Sequence, residues 1–94
     1  MIAEFSIVPI GREEGLSQYV AECIKLVRAS GLRYELTPMG TVVQGPYDDV
    51  METISSCHKK IRTMSNQVLT EIKIDDRLNE RPLEQRIASV ERKL

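Results

Sequence analysis

The chain has 94 residues, with 13 basic against 14 acidic side chains and a net charge of −1. That length suits one domain with a thin core, since so short a chain buries only about 60–65% of its unfolded surface. The even charge leaves no electrostatic footprint for nucleic acid. No apolar run approaches the roughly 20 residues of a membrane span, and Met1-Ile2 leads directly into a strand-like run containing Glu4 rather than into a signal peptide. A soluble, cytoplasmic protein is the expectation.

Ile2 to Ile10 alternates, with Phe5 and Ile7 on one face and Glu4, Ser6 and Val8 on the other, the period of a half-buried strand. Pro9 and Gly11 end it. Glu13 and Glu14 suit the first turn of a helix, and Leu16, Val20, Cys23, Ile24 and Val27 follow at helical spacing. Gly31, after Ser30, suits the residue that closes that helix. Arg33–Leu36 and Thr41–Gln44 are short extended runs joined by Thr37-Pro38-Met39-Gly40, the punctuation of a tight hairpin. Pro46 suits the first position of a second helix, and Asp48 and Asp49 its first turn. Its apolar stripe is Val50, Ile54, Cys57, Ile61 and Met64, with Lys59, Lys60 and Arg62 near its end. Val68 to Ile74 is a fourth strand, with Val68, Thr70, Ile72 and Ile74 on one face and Leu69, Glu71 and Lys73 on the other. Asp75 to Arg81 is a charged loop. Pro82 then opens a tail helix whose apolar positions are Leu83, Ile87, Val90 and Leu94.

The order strand, helix, strand, strand, helix, strand predicts two split βαβ units with right-handed crossovers. The expected fold is therefore α+β: a ferredoxin-like βαββαβ antiparallel sheet with both helices on one face and a C-terminal amphipathic helix. Residues 1–94 form a single domain in this reading, the tail helix covering about 82–94. The fold name describes topology and implies no iron–sulfur cluster. With one sheet face already covered, the tail stripe has no obvious place, the second and fourth strands are open edges, and Leu69 lies near Val8 on the uncovered face. These leftovers predict a homo-oligomer, best a tetramer with two-fold symmetry.

Glu4 and Ser6 share one face of a central strand, next to the run Thr41–Gln44. A carboxylate grouped with hydroxyls there can hold a small heteroaromatic or cationic ligand; an ordinary solvated or subunit-contacting sheet face is the plain alternative. Gly40 serves either a positive φ or a close backbone approach, and Met39 either lines a site or caps the core. Tyr34 either stacks on a ligand ring or packs half-buried with its hydroxyl at the edge. Cys23 and Cys57, 34 residues apart on two helical stripes, read as buried small hydrophobes. With a single histidine, His58, they fall short of a metal site. Cys57 and His58 are adjacent, so a helix cannot place both on one face as a nucleophile–base pair. Val43-Gln44-Gly45 resembles the phosphate loop of acylphosphatases, but it follows the third strand instead of the first, and Asp48 and Asp49 follow where an arginine is needed. One Phe and three Tyr are too few for an RNA-binding sheet, and Glu4 and Glu71 oppose that use.

Glu4-Phe5-Ser6 with Pro9-Ile10-Gly11, then Tyr19-Val20-Ala21, Ser30-Gly31-Leu32 with Tyr34, Pro38-Met39-Gly40-Thr41 and Ile72-Lys73-Ile74-Asp75-Asp76-Arg77 together resemble the small MTH1187/YkoF-like thiamine-binding proteins of the UPF0045 type. The resemblance runs from Glu4 to Leu94. It implies a ferredoxin-like, cytoplasmic homotetramer built as a dimer of dimers, which binds thiamine or its hydroxymethylpyrimidine part and needs no cofactor, metal or catalytic dyad. The ligand-binding residues it implies, together with the sheet-face reading, are Glu4, Ser6, Tyr34, Thr37, Met39, Gly40 and Thr41. The alternative is a ligand-free structural or regulatory oligomer built by sheet pairing. The chain departs from similar proteins at Gln44, commonly Glu, at Pro46-Tyr47, commonly Glu-Trp, and at Ser65 and Gln67, often Gly and Arg.

Overall fold

The computed structural model describes residues 1–11 and 15–94. Glu13 and Glu14, expected in a first helical turn, lie outside the described residues. The elements run β1 (Ile2–Pro9), α1 (Ser17–Ser30), β2 (Arg33–Thr37), β3 (Gly40–Gln44), α2 (Tyr47–Arg62), β4 (Val68–Asp75) and α3 (Leu83–Glu91). The strands lie in the order β2-β3-β1-β4, and every pairing is antiparallel. This is the expected ferredoxin-like sheet, with α1 and α2 packed on one face.

Alternation along β1 divides the molecule. Ala3, Phe5 and Ile7 enter the core with Val43 of β3, Cys23 and Val27 of α1, and Val50, Ile54, Cys57 and Ile61 of α2. Val50, Ile54, Cys57 and Ile61 of the stripe expected for α2 are buried, while Met64 lies past the helix end and is half-buried. For α1 the expectation needs correction: Tyr19 is 2% exposed, whereas Leu16 is 46% exposed. The helix begins at Ser17, which leaves Leu16 at the capping position before it. The row Tyr19, Cys23, Val27, spaced by four, then faces the sheet. Ile72 and Ile74 sit on the helix side of β4 yet remain 40% and 43% exposed, because α2 lies mainly over β1 and β4 is an uncovered edge.

The tail is tied to the end of the sheet where β1 begins. The Met1 ammonium donates to the Gly45 carbonyl at 3.0 Å and pairs with Glu80 at 3.0 Å. Arg86 joins Asp75 at 2.5 Å and Glu80 at 3.3 Å. The Gln44 amide holds both sides of the turn into α3. Its Oε1 accepts from the Leu83 N–H at 3.0 Å, and its Nε2 donates to the Arg81 carbonyl. Arg33 pairs with Glu84. Leu83 is the buried residue of α3, while Ile87 and Val90 are 50% and 60% exposed. The chain's own sheet therefore does not take up the tail's apolar stripe.

These pairs make tail docking pH-dependent. Hydrogen bonding from Arg86 holds the Asp75 carboxyl below its ordinary value, and hydrogen bonding from the N-terminal ammonium does the same for Glu80. The docked tail thus binds fewer protons than a free one, so its stabilisation is complete above the ordinary carboxylate value, near pH 4, and is lost as pH falls through the lowered values. Hydrogen exchange corrected for intrinsic rates should show the Leu83 amide equally protected at about pH 7 and 5, and less protected below about pH 4.

Candidate functional site

Strand register decides which of the candidate residues meet. Glu4 lies between Val42 of β3 and Lys73 of β4, and Ser6 lies opposite Glu71, all on the face away from the helices. Thr41 does not join them. It pairs with Phe5 and is 5% exposed, so its side chain belongs to the helix side of the sheet. The expectation that Glu4, Ser6 and Thr41 line one polar sheet face is corrected accordingly: neighbouring strands share a face only at paired positions, and Thr41 is paired one residue out of step with Glu4.

The hairpin brings the two faces back together. Thr37 pairs with Gly40 across a turn through Pro38 and Met39. The Thr37 hydroxyl accepts from the Met39 and Gly40 amides at 3.2 and 3.1 Å and donates to the Gly40 carbonyl at 2.9 Å. Thr37 is thus committed to building the turn. Gly40 is required by close approach and not by φ, since a Cβ there would stand 2.9 Å from the Phe5 carbonyl oxygen. Met39 does not cap the core; it is 84% exposed.

Beneath this turn lies a cavity of about 150 Å³, walled by Phe5, Val20, Cys23, Leu36 and Met39 and edged by Ser6, Thr37, Gly40 and Thr41. No charged side chain is among the described residues that line it. Beside it, on the open sheet face, is a shallow depression of about 350 Å³ flanked by Glu4, Glu71 and Lys73. Phe5, Ser6 and Met39 line both. Five of the seven expected ligand-binding residues therefore edge the cavity, and Glu4 stands in the adjoining depression. Tyr34 is at neither. It is half-buried, and its hydroxyl accepts from Arg28 Nε at 2.8 Å, a bond that raises the Arg28 guanidinium further above its ordinary value.

Residues beyond that expectation complete the walls. Glu71 was legible as an open-face residue by its period along β4, but its place opposite Ser6 depends on register. Cys23 reaches the cavity wall from α1. The Cys57 thiol contacts it from α2, donating to the Cys23 carbonyl at 3.5 Å. Contact with Cys57 and burial together push the Cys23 thiol well above its ordinary value, so the cavity wall presents a neutral thiol. His58 lines neither cavity, and its Nδ1 stands 2.6 Å from the Thr70 hydroxyl.

The same architecture occurs in solved structures. A crystal structure of a Methanocaldococcus jannaschii protein superposes with a TM-score of 0.89 at 28% identity, over 96% of this chain and 94% of that one. A Thermotoga maritima structure, described as that of a candidate thiamine biosynthesis or salvage protein, superposes with a TM-score of 0.83 over 95% of this chain and 96% of that one; at 17% identity it speaks for the fold alone. Sequence relatives include the UPF0045 protein YqgV of Bacillus subtilis, 37% identical over 99% of this chain and 96% of its own length. A UPF0045 protein of Methanocaldococcus jannaschii is 29% identical over 96% of this chain and 91% of its own. The family model described as thiamine-binding protein matches residues 3–91. The chain belongs to the thiamine-binding protein family.

The hairpin corner is sterically tight, and its glycine is testable. Gly40→Ala should lose about 1–3 kcal/mol by urea unfolding, since the contacted atom is a backbone oxygen that cannot swing aside. Gly15→Ala, whose Cβ meets nothing within 4 Å, should leave stability unchanged or raise it slightly through the unfolded state.

Proposed function

We propose that the chain binds thiamine, or its hydroxymethylpyrimidine part, with the aminopyrimidine ring in the cavity under the hairpin and the thiazolium over Glu4 and Glu71. One observation carries this: an uncharged cavity adjoins, at Phe5, Ser6 and Met39, a depression with two carboxylates and one ammonium. Thiamine is a neutral heteroaromatic ring joined by one methylene to a cationic ring. It needs those two environments side by side. Membership of the thiamine-binding family supports the ligand class.

In this reading the protein carries out no reaction of its own. The cavity thiol is protonated and therefore a weak nucleophile, and His58 is engaged with Thr70. The protein works as a homotetramer, a dimer of dimers, in the cytoplasm. Among the described residues no helix is long and apolar enough to cross a membrane. Leu69 on the open face, Ile72 and Ile74 at the β4 edge, and Ile87 and Val90 on α3 are all exposed, and a second copy would cover them. A copy laid over the open sheet face would also roof the Glu4 depression and strengthen its hold on a cation by excluding water.

Calorimetric titration tests the ligand. Thiamine should bind, and Glu4→Gln should weaken it by about 1–3 kcal/mol more than it weakens hydroxymethylpyrimidine, which lacks the cation. No heat from folded protein with thiamine, its phosphates or hydroxymethylpyrimidine would overturn the reading. Sedimentation at micromolar concentration should give a tetramer, and a monomer would remove the assembly.

A further inference from the structure

We infer that the cavity has a second exit, on the α1 side, that takes a phosphoryl group, so that the site also accepts the phosphate ester of hydroxymethylpyrimidine with the ester held at Arg28 and Lys25. The inference rests on the reading that the cavity holds the aminopyrimidine ring. At about 150 Å³ the cavity falls short of the roughly 300–1,000 Å³ of ordinary ligand sites. It has room for a ring, and a substituent must leave it. Val20, Leu36 and Thr37 line both the cavity and a groove of about 480 Å³ between α1 and β2. The two spaces adjoin at these side chains, and Leu36, 58% exposed, is the one a substituent would cross.

The two exits differ in charge. The open-face depression carries Glu4 and Glu71 against Lys73. The α1 groove carries Lys25 and Arg28, and no carboxylate is among the described residues that line it. Lys25 is partly spent, since Glu22 stands 3.0 Å from its Nζ. Arg28 is the stronger recruit. The Tyr34 hydroxyl takes its Nε at 2.8 Å, which fixes the guanidinium and leaves its two terminal amino groups to donate together to phosphoryl oxygens. Tyr34, set aside from the cavity itself, thus acts as a positioning residue for the anion. A thiazolium is drawn to the acidic exit and a phosphate ester to the basic one; both hang from the same ring methylene, so the ring must turn over in its pocket between the two ligands.

Calorimetry with hydroxymethylpyrimidine, its phosphate ester and thiamine, at low and moderate salt, tests this. The ester should bind about tenfold more tightly than the free alcohol at low salt, and the preference should shrink as salt rises. Arg28→Gln should remove most of that preference, and Arg28→Gln with Lys25→Gln should bring the ratio of the two affinities to about one. Tyr34→Phe should reduce that ratio partway without altering its salt dependence in sign. Equal binding of ester and alcohol by the natural protein, or a preference undiminished by Arg28→Gln or surviving the double substitution, overturns the second exit while leaving the thiamine reading in place. No binding of any of the three overturns both.

Discussion

β1 is hydrogen-bonded on both sides, to β3 and to β4, and everything else in the molecule is arranged around that. A strand held on both edges cannot slip or rotate, so each of its side chains is committed to one face. Ala3, Phe5 and Ile7 are committed to the helices, and Glu4, Ser6 and Val8 to the open side. The helix side must then be covered, which two helices only just achieve in a chain of this size. The Tyr19, Cys23, Val27 row of α1 and the Val50, Ile54, Cys57, Ile61 row of α2 are the apolar surface available for it. The open side is left with a carboxylate in mid-strand.

The hairpin places the proposed site at the border of this two-faced sheet. Its turn stands at the end of β3 beside Phe5, and the approach is so close that a glycine is needed. The Thr37 hydroxyl closes the turn internally. Met39 is thereby projected into solvent, between a cavity on the helix side and a depression on the open side. The proposed site is thus neither a sheet-face site nor a helix–sheet interior site. It straddles the edge between them, and this is why a neutral lining and an acidic one adjoin.

Gln44, one of the departures from similar proteins, has a structural use at the opposite end of β3. A carboxylate in its place could accept from the Leu83 amide but could not donate to the Arg81 carbonyl, as the Gln44 amide does. The amide serves both groups at the N-terminal end of α3. Together with the Met1, Glu80, Arg86 and Asp75 network, it explains how a helix that buries little of its own apolar stripe is nonetheless held in one place. Ile87 and Val90 remain outward-facing on a tethered element, and that is the surface a second copy would find already ordered.

The sequence by itself determined the element order, the alternation of β1 and β4, the apolar stripe of α2 and the hairpin at Pro38–Gly40. Each of these is written in local periodicity or turn chemistry, which a single segment carries whatever it packs against. Of the residues it proposed for a ligand, Ser6, Thr37, Met39, Gly40 and Thr41 line the cavity. The start of α1 was not legible, because Leu16 and Tyr19 both fit a helical stripe and only the sheet beneath chooses between them. The separation of Thr41 from Glu4 was likewise decided by tertiary structure. Register between strands distant in sequence depends on their mutual pairing, and a shift of one residue moves a side chain to the other face. The pairing of Tyr34 with Arg28 and of Gln44 with the tail were decided in the same way, since neither pair has a signature in either segment alone.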